Sequence, residues 1–150
     1  MRRILVAATL VAMAASMALA FTVHQYAGTW LNRDSNTRGI TKVEIQERDS
    51  KAKVRVWGKC QPADCDWGWE NANSAYDGHL WTTYRNNFST REVTFTMRSL
   101  TTLVVKEHTH FTDNSGRPDK NNTYTLRRVL TPAKPIKKTF QKLPAAKKRY

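Results

Sequence analysis

The chain has 150 residues, with 25 Lys and Arg against 12 Asp and Glu, and a formal net charge of +13. That length accommodates one domain built around one core. Beyond residue 20 no apolar run is long enough to cross a bilayer as a helix, so no membrane span is expected in the remainder.

Residues 1–20 read as a secretory signal peptide. Arg2 and Arg3 give a basic start, residues 4–16 are apolar or small, and Ala18-Leu19-Ala20 supplies the small-x-small pattern that a signal peptidase cuts. The product is expected to be secreted or periplasmic. No cysteine follows Ala20 to carry acyl chains, so a lipoprotein is not expected.

The body, residues 21–133, reads as all-β. Its strand candidates are 26–32, 40–48, 53–58, 79–88, 92–98, 100–111 and 122–130, rich in Val, Ile, Thr and aromatics. Alternation is clear in several. Thr41, Val43 and Ile45 share one face, Val54 and Val56 another, and Val93, Phe95 and Met97 a third. Turn residues separate them at Asp49-Ser50, Tyr76-Asp77-Gly78 and Asp113 to Pro118. Residues 70–76 are the one plausible helical turn. Short antiparallel strands in succession favour an up-and-down barrel of about seven to eight strands, which removes its own edges. A two-sheet sandwich competes.

Gly28-Thr29-Trp30 near the start of the body and Arg127-Arg128 in the last strand resemble the lipocalin and avidin-like, or calycin, pattern. There an early Gly-x-Trp closes the barrel base and a late arginine stacks on the indole. The resemblance implies that Trp30 is buried and that Arg128, in phase with Tyr124 and Leu126, is its partner.

The segment Trp57-Gly58-Lys59-Cys60-Gln61-Pro62-Ala63-Asp64-Cys65-Asp66-Trp67-Gly68-Trp69 is the strongest local signal of the body. It is similar to a signature found in a group of small secreted bacterial proteins of unassigned activity. In an exported chain, Cys60 and Cys65 most simply form an intraloop disulfide, contributing about 2 kcal/mol in the chain-entropy model. The alternative is half of a zinc site, completed by His108 and His110. Those two histidines could also bind a metal with Asp113 or His79, although a solvated strand face is the simpler reading.

Trp57, Trp67, Trp69 and Trp81 exceed what a small core needs. Trp57 falls on the polar phase of its strand, whereas Trp67 and Trp69 share one phase beside the cysteine loop. Indoles on a rim stack against sugars or apolar ligands, and indoles that only cover the barrel are the plainer alternative. No nucleophile elbow, phosphate-binding loop or zinc-protease motif is present. Glu92 with Glu107, or Asp64 with Asp66, would be the acid pairs to consider, but charged strand residues usually face solvent. An enzyme is not expected, nor is a cofactor.

The leading reading is a secreted binding module holding a small apolar or sugar-like ligand at an aromatic-rimmed end. An extracellular interaction or inhibitor protein using the Cys60–Cys65 loop is the alternative, and a zinc-dependent enzyme the third.

Lys134, Lys137, Lys138, Lys142, Lys147, Lys148 and Arg149 fall in residues 134–150 with no acid among them, while residues 21–133 keep 16 bases against 12 acids. Pro135 and Pro144 interrupt this stretch, so a disordered basic tail is expected, drawn to anionic envelope polymers. Truncation after Thr131 should leave the melting temperature nearly unchanged and abolish retention on heparin. Unchanged retention with the same salt slope would move the binding element to a body patch such as Lys51, Lys53 and Arg55.

Overall fold

The computed structural model describes residues 21–130. The expected signal peptide and the seven tail bases from Lys134 to Arg149 lie outside the described residues. A one-turn helix, α1 (Val23–Tyr26), precedes eight strands: β1 (Gly28–Asn32), β2 (Ile40–Arg48), β3 (Lys51–Gly58), β4 (Cys65–Ser74), β5 (Leu80–Arg85), β6 (Ser89–Ser99), β7 (Thr102–Phe111) and β8 (Lys120–Arg128). Each strand pairs antiparallel with its neighbours in the chain, and β8 returns to β1, closing the barrel.

Alternation sets which residues fill it. Val43 and Ile45 of β2, Val54 and Val56 of β3, Val93 and Phe95 of β6, and Leu103 and Val105 of β7 are all buried inside. The tight β2–β3 turn is made by Asp49 and Ser50, both at positive φ (52° and 60°), which matches the twist of the flanking strands.

Three local expectations are corrected. Residues 70–76 are not helical. Residues 65–74 form β4, with Ala72 opposite Ala52, because pairing with β3 outweighs the weak helical preference of Asn71, Asn73 and Ser74. Tyr26 belongs to α1 and not to the first strand, turning its ring into the barrel base. A register shift between Ile40 and Lys42 puts Ile40 in the core, while Thr41 bonds the Trp57 carbonyl at 3.2 Å.

The base is sealed by Trp30 and Arg128. Trp30 is fully buried and donates from Nε1 to the Tyr26 carbonyl at 3.0 Å. The Arg128 guanidinium lies 4.1 Å from the indole centroid. It donates to the carbonyls of Leu100 (2.6 Å), Ala27 and Gln25, tying the β6–β7 turn and α1 to the last strand. Gly28 makes room: a Cβ there would lie 2.8 Å from an Arg128 nitrogen. Tyr26 completes the plug, donating to the Gly78 carbonyl (2.9 Å) and accepting from the Met97 amide (3.2 Å).

Trp30→Ala should cost about 3–5 kcal/mol, as for other large-to-small core changes. Arg128→Met keeps the stem but leaves three carbonyls without their donor, and should cost about 3 kcal/mol. Urea unfolding measures both, and a loss below about 1 kcal/mol for either would show that the base is not held by this pair.

Candidate functional site

The end opposite the base is open. There the connections at residues 33–39, 59–64, 86–88 and 112–119 stand around a cup of about 830 Å³. Its walls follow from the strand phase. Along β6 the inward positions run Met97, Phe95, Val93 and then Arg91, and along β7 they run Leu103, Val105 and then Glu107 and Thr109. The interior is therefore apolar at the base and polar towards the mouth.

Glu107 is the hub of the polar layer. Only 7% of it is exposed. Its Oε2 accepts from the Tyr124 hydroxyl at 2.8 Å and from Asn122 at 3.4 Å, and its Oε1 accepts from Thr109 at 3.2 Å. Arg91 lies across from it, with Nη1 3.8 Å from Oε1, an ion pair without a hydrogen bond. The Arg91 guanidinium rests on the face of Trp67 at 4.4 Å, and Trp67 meets Tyr84 edge-on at 5.4 Å. Tyr84 donates to the Val54 carbonyl at 3.0 Å. Trp67 can lie against the wall because Gly58 has no side chain: a Cβ there would sit 2.9 Å from the indole.

The lip of the cup carries the bonded pair Cys60 and Cys65, and the described residues contain no free cysteine. The disulfide expectation is met, and the zinc alternative built on those thiols is overturned because both sulfurs are used in the bond. His108 and His110 lie on the outer wall and share Asp119, at 3.5 and 2.9 Å. Asp113 pairs with Arg117 and His79 with Asp77, so neither joins them. Among the described residues no group of three or more His, Cys, Asp or Glu is placed to hold a metal ion.

The four tryptophans do not gather at one rim. Trp67 lines the cup, whereas Trp57, Trp69 and Trp81 stand on the outside. Trp57 is covered by Lys42 (3.5 Å) and Arg55 (4.9 Å), Trp69 lies 5.8 Å from Arg55, and Trp81 is exposed opposite Asn73. The expectation that Trp67 and Trp69 share a phase fails at Gly68, whose φ of +85° accompanies a bulge between them. The extra residue turns Trp67 in and leaves Trp69 out.

The acid pairs separate as well. Glu92 is exposed on the outer face, while Glu107 of the same expected pair is buried inside. Asp66 is held by Arg55 on the outer wall, whose hydrogen bonds keep its carboxyl below the ordinary range, and Asp64 pairs with Lys59 at 3.5 Å. Arg91 and Tyr124, to which the sequence pattern assigns no role in a site, both line the cup. Arg91 is in phase with Val93 and Phe95, and Tyr124 with Leu126, which was the available signal.

The described residues thus define a class: a closed, eight-stranded, up-and-down antiparallel barrel with a polar cup at one end. The solved structure of a redesigned β barrel matches it with a TM-score of 0.52 at 16% identity, covering 75% of this chain and 98% of that one. That likeness concerns the fold alone. No protein-family model and no curated protein matches the sequence. Among the described residues no helix is long and apolar enough to cross a membrane.

Burial raises the phenols of Tyr84 and Tyr124 well above their ordinary value, with further upward pushes from Glu70 and Asp66 on the first and Glu107 on the second. A raised folded-state value means that the folded protein keeps these protons longer than the unfolded chain. The associated stability is intact below about pH 10, where unfolded tyrosine ionises, and is lost as pH climbs from there through the folded values. In an absorbance titration, Tyr84 and Tyr124 should ionise last and together with unfolding. Tyr84→Phe and Tyr124→Phe should each remove one late phenol and flatten the alkaline loss of stability, and normal titration of both would contradict their burial.

Proposed function

We propose that this protein is an exported binding module of calycin-like architecture that takes one small ligand into the cup. The observation that carries the reading is the cup itself. Its volume lies within the usual range for small-molecule sites, and it combines aromatic walls at Trp67, Tyr84 and Phe111 with a few convergent polar groups. Eight-stranded barrels have room either for their own side chains or for one small ligand. Here side chains fill the base and leave the mouth open.

Export is supported by the character of residues 1–20 and by the disulfide, which persists in oxidising compartments. The disulfide stiffens one lip of the cup, so that the entrance keeps its shape. The basic residues 134–150 add a salt-sensitive attraction to anionic envelope polymers. Trp57, Trp69 and Trp81 have no part in the cup, and Trp67 is the indole that contacts ligand.

The exported protein should bind the neutral dye phenylnaphthylamine with one-to-one stoichiometry and quench its own tryptophan emission. Asn122 points into the mouth and is exposed, so Asn122→Trp should fill the cup and abolish binding in a protein that still folds, the lost 3.4 Å bond to Glu107 costing about 1 kcal/mol. Binding that survives this substitution would place the ligand elsewhere and remove the basis of the proposal.

A further inference from the structure

Arg91 is the least satisfied polar group of the interior. Its Nε is buried and has no hydrogen-bond partner among the described residues. A buried donor without an acceptor is destabilising and rare, so this guanidinium is short of the acceptors a buried arginine needs. Glu107 does not meet the need, since it is already engaged by Tyr124, Asn122 and Thr109 and stands 3.8 Å from the nearest guanidinium nitrogen.

The setting of Arg91 suits a planar anion. Trp67 supports one face of the guanidinium and fixes its plane, while about a quarter of the side chain stays exposed to the cup. A fixed guanidinium edge offers two parallel donors, which match the two oxygens of a carboxylate. The surrounding charge has the right sign. Arg38, Lys59, Arg85, Arg91, Arg117 and Lys120 line the cup against three carboxylates, Asp66, Glu70 and Glu107. Lys59 pairs with Asp64, Arg117 with Asp113 and Asp66 with Arg55, which leaves Arg38, Arg85, Arg91 and Lys120 against Glu70 and the internally bonded Glu107. A cleft lined by an excess of one charge concentrates ligands of the other.

We infer that the ligand of the cup is a small ring-bearing carboxylate, its acid group held by Arg91 and its ring lying against the aromatic wall of Tyr84 and Phe111. This assignment rests on the cup being a ligand site. Glu107 acts as a positioning residue: anchored from behind by Tyr124 and Thr109, it holds the Arg91 stem across the barrel without occupying Nε.

The test compares naphthoate with its neutral isostere naphthamide by calorimetry on the exported full chain. Naphthoate should bind at least about tenfold more tightly, the scale of one charged hydrogen-bond pair. Arg91→Gln should erase that preference and leave naphthamide affinity within about twofold, a difference worth less than one ordinary hydrogen bond, whereas Arg91→Lys should retain part of it. Arg48→Gln, on the opposite end, should change neither. Equal affinities in the parent protein, or an unchanged preference in Arg91→Gln, would overturn the carboxylate assignment while leaving the cup as a site. Equal loss of both ligands in Arg91→Gln and Arg91→Lys would make Arg91 a structural prop and overturn it too. Failure of naphthoate, naphthamide and phenylnaphthylamine alike would bring down the cup itself.

Discussion

Closure of β8 onto β1, clamped by Arg128 over Trp30, is the constraint on which the rest of the molecule depends. An open sheet can turn polar residues of either face towards water. A closed barrel cannot, because every inward side chain is walled by seven other strands. Each polar group on the inward phase must then find a partner inside or reach the mouth. Arg128 is itself such a group: burial pushes its guanidinium below the ordinary value, and three backbone carbonyls together with the indole face compensate for the lost water.

The same constraint explains why the interior is graded. Towards the base, Leu103, Leu126 and Phe95 pack as an apolar layer, and the polar atoms of Tyr26, Trp30 and Arg128 are satisfied by backbone groups. Towards the mouth, Glu107, Thr109 and Tyr124 satisfy one another in a single layer. Above that layer the described residues line the cup, among them Lys120, Asn122 and Arg117. The polar layer is thus both the floor of the cup and the upper limit of the core, so substitutions in it will couple stability to the proposed binding.

Much of the fold was legible because strand phase and turn chemistry are local. Val43 with Ile45, and Val93 with Phe95 and Met97, announce their faces, and Asp49-Ser50 announces its hairpin. The pairing of Gly28-x-Trp30 with Arg128 was legible from the family-like pattern and is explained by the missing Cβ of Gly28 beneath the guanidinium. The cup was less legible for two reasons. One is the bulge at Gly68, a single extra residue that reverses the faces of Trp67 and Trp69 and cannot be located by counting alternation alone. The other is that charged strand residues usually face solvent, and two of them here do not. Extending the phase of Val105 by two residues reaches Glu107, and extending that of Val93 back by two reaches Arg91. Both belong to the interior by parity, whatever their charge.

The bulged strand, β4, also carries the weakest seam of the barrel. Backbone pairing between β4 and β5 is confined to Asn73 with Trp81 and Ser74 with Leu80, although both strands run on towards the mouth. Beyond those pairs the wall is held by side chains: Thr82 bonds the Asn71 carbonyl at 2.9 Å, and Trp67 wedges against Tyr84. A seam closed by side chains opens more readily than one closed by a ladder of backbone hydrogen bonds. The disulfide-bonded connection lies at the end of β4 on this side, restraining its upper part where β5 does not. Trp67 therefore joins three roles in one residue. It backs Arg91, it lines the cup, and it holds the weakest stretch of the wall shut, so the proposed ligand contact and local opening of the barrel would act on the same side chain.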